Sequence, residues 1–138
     1  MIPLENCISF ATGKAYQQIN KRARQLLQPH GVTPIQYALL SLLWEKEGMS
    51  GSELSERLIL DSAAMTGLID RAESLGLVVR QLDKDDRRVN RISLTTHGRD
   101  IKRPLIKAIR ILNEEVQDLL GYETSKFMSN LKKIAARD

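Results

Sequence analysis

Residues 61–98 read DSAAMTGLIDRAESLGLVVRQLDKDDRRVNRISLTTHG, and the period of the apolar residues changes inside this segment. In its first half Met65, Leu68, Ile69, Ala72 and Leu75 recur at helical steps. Asp61 or Ser62 is available as the N-cap and Gly76 as the left-handed C-terminal residue. In its second half Leu77-Val78-Val79-Arg80 and Val89-Asn90-Arg91-Ile92-Ser93-Leu94 are β-rich runs. The polar segment Asp83-Lys84-Asp85-Asp86 between them predicts a hairpin.

The flanking residues place this unit in a larger order. Ser50-Gly51-Ser52-Glu53 has capping-box spacing and opens a short helix that turns Leu54 and Leu58 inward. Before it, Thr33-Pro34-Ile35-Gln36 combines an N-cap, a first-turn proline and a capping-box glutamine. The helix that follows runs to about Lys46, stopped by Gly48, and is apolar almost all round, which puts it at the centre of the fold. Helix, short helix, short helix and hairpin is the order of a winged helix-turn-helix, here residues 33–98.

Amphipathic helices flank this lobe over residues 1–31 and 99–138. Ile8, Ala11, Ala15, Ile19, Ala23 and Leu26 mark one over residues 6–27, with Lys14, Lys21, Arg22 and Arg24 on its polar side. Leu105, Ile109, Leu112, Val116 and Leu119 step by four, three, four and three, a stripe suited to packing on another helix. Pro104 stands near the start of that run and marks its first turn or a bend. Gly121 breaks it, and Phe127, Leu131 and Ile134 carry a last helix. The chain is therefore predicted to be mainly α with a small β-hairpin.

Composition narrows the function. At 138 residues and 15.6 kDa the chain makes one domain, and 42% hydrophobic with 28% charged residues is the mix of a folded globular protein. One cysteine excludes an internal disulfide, and His30 and His97 without a Cys/His cluster provide no structural zinc site. There is no Gly-rich phosphate loop and no set of nucleophile, base and orienting group, so neither enzyme activity nor a cofactor is expected. No run approaches the roughly 18 apolar residues of a membrane span, and a cytoplasmic protein is expected. Aromatic residues are only 4% of the chain, too few for stacking single-stranded bases. The net charge of +4 is a mild bias towards polyanions. It lies in the flanks: residues 50–100 hold eight bases and nine acids.

Within that near-neutral middle, arrangement matters more than sum. On the second of the short helices, the third helix of the lobe, Ser62, Ala63, Thr66 and Gly67 are small, so its backbone can lie deep in a DNA major groove. Ser62 and Thr66 can bond phosphates or base edges, Ala63 can touch a thymine methyl, and Arg71 can reach guanine or phosphate. The alternative is a solvent-exposed face of small residues. Arg80, Lys84, Arg87, Arg88 and Arg91 cluster about the hairpin loop, a shape and charge that can enter a narrow minor groove. Here the alternative is a solvated loop held by Asp–Arg pairs. Helix and hairpin together favour duplex DNA.

Asp86-Arg87-Arg88, five residues, Leu94-Thr95, two residues and Gly98 resemble the D-x-R-x5-L-T-x2-G signature of the multiple-antibiotic-resistance regulator (MarR) family. Thr33-Pro34-Ile35-Gln36-Tyr37 is similar to the family's T-x-x-Q-[FY] start of its second helix. Leu75-Gly76-Leu77-Val78 with Arg80 is similar to its passage from reading helix to strand, all in one register.

The resemblance implies a homodimeric transcription regulator, most simply a repressor, on a pseudo-palindromic duplex. Its terminal helices would interlock two subunits. It implies Arg87 as the minor-groove residue, with Lys84 beside it in the wing. Asp86 and Arg88 would be the pair that braces the wing, and Ser50, Ser52 and Arg57 would be phosphate contacts. Many members release DNA when a small aromatic or phenolic anion binds between the dimer helices and the DNA-binding lobe. Residues able to line such a cleft are Phe10, Lys14, Gln17, His30, Tyr37 and Trp44. For Tyr37 and Trp44 the alternative is plain core packing, and for His30 a helix-end position. One branch of the family senses peroxides through a cysteine on the first helix. The register from Phe10 puts that position at Ser9, two residues from Cys7, so Cys7 is either a redox site or a small half-buried thiol. A winged-helix module that binds protein rather than DNA is the remaining alternative, to be decided by whether Asp70, Glu73 and Asp85 neutralise Arg71 and Arg87.

Overall fold

Thr33 opens the central helix through a closed capping box. Its hydroxyl accepts from the Gln36 amide at 3.3 Å while Gln36 Oε1 accepts from the Thr33 amide at 3.0 Å, with Pro34 in the first turn. The resulting helix α2 (Pro34–Glu45) completely buries Leu39, Leu40 and Leu43, and the rest of the chain is arranged around it. The structure, a computed structural model, describes residues 1–137; Asp138, the last residue of the flank assigned to dimerisation, lies outside them.

A single 3-10 turn (Leu4–Asn6) precedes α1 (Ile8–Leu27), and a second (Gln28–His30) joins it to α2. Then come β1 (Met49–Ser50), α3 (Gly51–Leu58) and α4 (Ser62–Ser74). The hairpin of β2 (Val78–Leu82) and β3 (Asn90–Leu94) follows. The chain closes with α5 (Thr96–Asp100), α6 (Lys102–Leu120) and α7 (Thr124–Ala135). The fold is a winged helix-turn-helix within a mainly helical chain. Pro104 sits in the first turn of α6, where its missing N–H costs nothing, and the helix continues through it. No helix among the described residues is long and apolar enough to cross a membrane.

The hairpin supplies the central strand β3 and the edge strand β2 of a three-stranded antiparallel sheet in the order β1-β3-β2, with Met49 and Arg80 both opposite Ile92. Strand β1 is two residues long, too short to leave a period in the sequence. Its Ser50 also caps α3, accepting from the Glu53 amide at 3.1 Å. The predicted box there is only half formed, because the Glu53 carboxylate faces Arg91 at 3.5 Å instead of returning to the cap. Leu75, expected in the inner stripe of α4, is 47% exposed: the helix ends at Ser74 and Gly76, at φ +72°, turns the chain away. Along α6 the stripe is buried at one end only, with Leu105 fully covered and Leu119 83% exposed. Arg22 of α1 meets Glu115 of α6 at 2.6 Å where these two helices run side by side.

Ile59, which ends α3, is a β-branched residue at φ +56°, ψ +50°, with 87% of its surface exposed. Left-handed backbone costs such a residue about 1–2 kcal/mol, and an exposed side chain recovers none of it by packing. Ile59→Gly should therefore raise the melting temperature, by the equivalent of about 0.5–1 kcal/mol once glycine's larger unfolded-state entropy is subtracted. A melting temperature that fell would show that the isoleucine makes a stabilising contact.

Candidate nucleic-acid interface

Asp61 is the cap of α4: its Oδ1 accepts from the Ala64 amide at 2.7 Å, which makes Ser62 the first residue of the helix. From there Met65, Leu68, Ile69 and Ala72 are buried against the core. The opposite face, Ser62, Ala63, Thr66 and Arg71, is exposed, with Gly67 half-exposed among them. The Thr66 hydroxyl donates to the Ser62 carbonyl at 2.8 Å, so it offers a partner its lone pairs and its methyl rather than its proton. Gly67 makes room for Arg71. A Cβ at that position would lie 3.1 Å from the Arg71 Nη1, so the guanidinium folds back over bare helix backbone.

The hairpin tip is organised by Asp83. Its carboxylate accepts from the amides of Asp85 (3.1 Å) and Asp86 (2.9 Å) and from Arg91 Nε at 3.1 Å. Arg91 also donates to the Gly48 carbonyl at 3.3 Å, which ties the wing to the body of the lobe. Asp86 accepts from both the amide and the Nε of Arg88 at 3.0 Å, so this pair closes the loop on itself. The Asp86–Arg88 pair inferred from the motif is present, but the anchor to the body is Asp83 with Arg91, which the sequence reading did not single out. The signal was there in Asp83 opening the polar run, since a turn-initial Asp accepts from amides two and three residues on.

The Asp83 carboxyl is held below the ordinary carboxylate range by the Arg91 hydrogen bond first and the Asp86 amide second; Asp86 is lowered chiefly by the Arg88 side chain, then by its amide. Carboxyls lowered in the folded state stabilise it fully above their unfolded pKa, and that stabilisation is lost as pH falls through the folded values. Acidification below about pH 4 should therefore loosen the wing first. The check is hydrogen exchange. Protection factors at residues 83–91 should drop before those of α2, and a simultaneous loss in both would contradict the assignment.

The near-neutral charge of this segment sorts itself in space. Asp70 and Glu73, on the flank of α4, are both taken by Arg80 of β2, at 2.5 and 2.7 Å. Asp83 and Asp86 are taken by Arg91 and Arg88. Arg57, Arg71, Lys84 and Arg87 make no ion pair among the described residues, and all four are exposed. Arg71 and Arg87 are thus not neutralised by Asp70, Glu73 or Asp85. Ser52 and Arg57 on α3 are exposed as well; Ser50 is only 9% exposed and its hydroxyl is engaged in the cap.

The chain as a whole has relatives among known proteins. The model of the MarR family matches residues 32–89. The organic hydroperoxide resistance transcriptional regulator of Bacillus subtilis is 35% identical over 99 residues, covering 72% of this chain and 67% of that protein. This chain belongs to the MarR family. The HTH-type transcriptional regulator TtmR of Methylorubrum extorquens is 40% identical over 99 residues, 72% of this chain, and the aligned part spans about half (51%) of that relative. Among solved structures, the repressor CouR bound to a 23-mer DNA duplex superposes with a TM-score of 0.84 at 24% identity, over 97% of this chain and 95% of that one. CouR from Rhodococcus jostii RHA1 bound to p-coumaroyl-CoA superposes with a TM-score of 0.82 at 25% identity, over 100% and 98%.

In this MarR-family chain the six residues considered for an effector cleft do not meet in one cavity of the protomer. Phe10 and Lys14 line a shallow groove of about 300 Å³ along α1, and Gln17 and His30 are exposed elsewhere. Tyr37 and Trp44 pack edge-to-face at 5.9 Å against the core, and the Trp44 indole donates to the Gly98 carbonyl at 2.9 Å. These two therefore serve as core residues within the protomer. Cys7 is half-buried at the start of α1. Among the described residues no group of three His, Cys, Asp or Glu could hold a metal ion.

Proposed function

We propose that the protein is a homodimeric repressor that binds a pseudo-palindromic DNA duplex, has no catalytic activity of its own, and works in the cytoplasm. In this reading α4 enters the major groove with Ser62, Ala63, Thr66, Gly67 and Arg71. The wing reaches the minor groove with Arg87, flanked by Lys84 and Arg88, and Ser52 and Arg57 meet the backbone. The observation that carries it is the sorting of charge: Asp70, Glu73, Asp83 and Asp86 are each held by an arginine, and of the wing-loop acids only Asp85 is in no ion pair among the described residues, while Arg71, Lys84 and Arg87 are free and exposed. A protein-binding module would have no need of that separation.

Dimerisation is supported by the apolar surface that one protomer leaves open. Ile19 of α1, Leu112 and Val116 of α6 and Phe127 and Leu131 of α7 line a groove of about 580 Å³, and Ile8, Leu119 and Ile134 are exposed. All of these residues lie on the terminal helices, and apolar surface gathered on one set of elements marks an interaction site. A small-molecule modulator is supported by the ligand-bound relative. The aromatic part of such a ligand would meet Phe10 and Lys14 once the second protomer closes the groove along α1.

The test is selection of bound duplexes from a random pool by the purified protein. Enrichment of an inverted repeat with half-sites about ten base pairs apart is expected, since two reading helices on one face of DNA sit one helical turn apart. An absence of enrichment across low salt concentrations would overturn the reading.

A further inference from the structure

The first half of α6 carries a charge pattern that helix stability by itself would select against. Lys102, Arg103, Lys107 and Arg110 are separated by one, four and three residues, so they share the outer side of the helix, and Arg99 of α5 continues the row. Cations at a helix N-terminus oppose the macrodipole, and like charges three and four apart repel by a few tenths of a kcal/mol per pair. The acids of the same helix, Glu114, Glu115 and Asp118, stand at its other end, again the unfavourable placement. Glu47 pairs with Arg99, but within α6 nothing relieves the row: among the described residues Lys102, Arg103, Lys107 and Arg110 make no ion pair.

These side chains line a cleft of about 990 Å³, together with Arg99, Asp100 and the half-buried Ile106. Beneath it Leu105 and Ala108 are buried in the core, so the row stands on a firmly seated helix. From residue 102 to 110 the row extends about 12 Å, more than one phosphate occupies. Arg99 also holds Glu47 at 3.0 Å, and Glu47 accepts from the Leu94 amide at the end of β3 at 2.8 Å, which connects the cleft to the root of the wing.

We propose that this cleft binds a small molecule bearing two or more phosphoryl groups, with Arg103, Lys107 and Arg110 on the phosphates and Ile106 under an apolar portion. It extends the proposed function by assigning a phosphate-bearing class of modulator, and its primary test, ligand binding, needs no DNA. The full-length protein is titrated by calorimetry at low salt with coenzyme A, ADP and inorganic phosphate, alongside Arg103→Ala/Lys107→Ala and, as a control for equal charge loss, Lys132→Ala/Lys133→Ala on α7. Coenzyme A or ADP should bind at one site per protomer and more tightly than inorganic phosphate. The first double variant should lose at least tenfold in affinity and the control should not. Preference for coenzyme A would point to an acyl-thioester source and preference for ADP to a nucleotide, either supporting the site. Equal weakening in both double variants, or no binding beyond that of inorganic phosphate, would overturn it. So would loss of duplex DNA affinity in the first variant alone without anion binding, which would make the row a DNA-backbone contact.

Discussion

Gly98→Ala should destabilise the protein by about 3 kcal/mol or more, lowering the melting temperature by roughly 10 °C. A Cβ at this position would lie 2.1 Å from the Leu77 carbonyl oxygen and 3.2 Å from a Leu94 methyl carbon. The clash with Leu77 is with backbone, which no rotamer change can relieve. That backbone is itself pinned: the Leu77 carbonyl accepts from the Thr95 amide at 3.1 Å, and the Thr95 hydroxyl donates to the Gly76 carbonyl at 2.5 Å while capping α5 through the Gly98 amide. Gly98 is the point where the chain leaving β3 crosses the chain entering β2, with Trp44 bonded to its carbonyl from α2. The signature's terminal glycine is therefore a packing requirement of the wing root. Gly13→Ala is the control, because a Cβ there meets nothing within 4 Å and alanine is the better helix former. Thermal melts of the two variants should move in opposite directions; a Gly98→Ala protein as stable as the parent would contradict the crossing.

Arg87→Ala should weaken duplex binding by about 10- to 100-fold with no change in melting temperature, since the side chain makes no internal ion pair or hydrogen bond among the described residues. The loss should be similar on different duplexes, and the slope of log affinity against log salt should fall by about one. Arg71→Ala should cost a comparable amount and also alter which half-sites are preferred, because in the proposed docking it stands on the face of α4 that enters the major groove and can swing from Gly67 to a base edge. Fluorescence anisotropy on the selected duplex and on single-base variants separates the two. Equal binding by Arg87→Ala and the parent would remove the wing from the interface.

The Asp83–Arg91 tie shows where sequence reading ran short. Its partners lie eight residues apart across the hairpin, and only the register of β2 against β3 brings them together. The Asp86–Arg88 pair was legible because it is local, an i to i+2 contact within one turn. The same contrast holds for Arg80, which the hairpin register delivers to Asp70 and Glu73 on a different element. Within one protomer the effector candidates lie apart, and the reason is again tertiary. Phe10 and Trp44 belong to helices whose relative rotation is set by core packing, and Trp44 turns inward to the Gly98 carbonyl.

Periodicity, caps and turn chemistry, all written within a few residues of one another, were enough to specify the long helices, the two short helices of the lobe, the hairpin and their order, though not the five-residue α5. The exposed face of α4 followed as well, because a helix with one buried stripe has its other side defined by spacing alone. Which charges remain free was decided by the fold. An ion pair depends on the distance between side chains from separate elements, and that distance is fixed only when the core closes around α2.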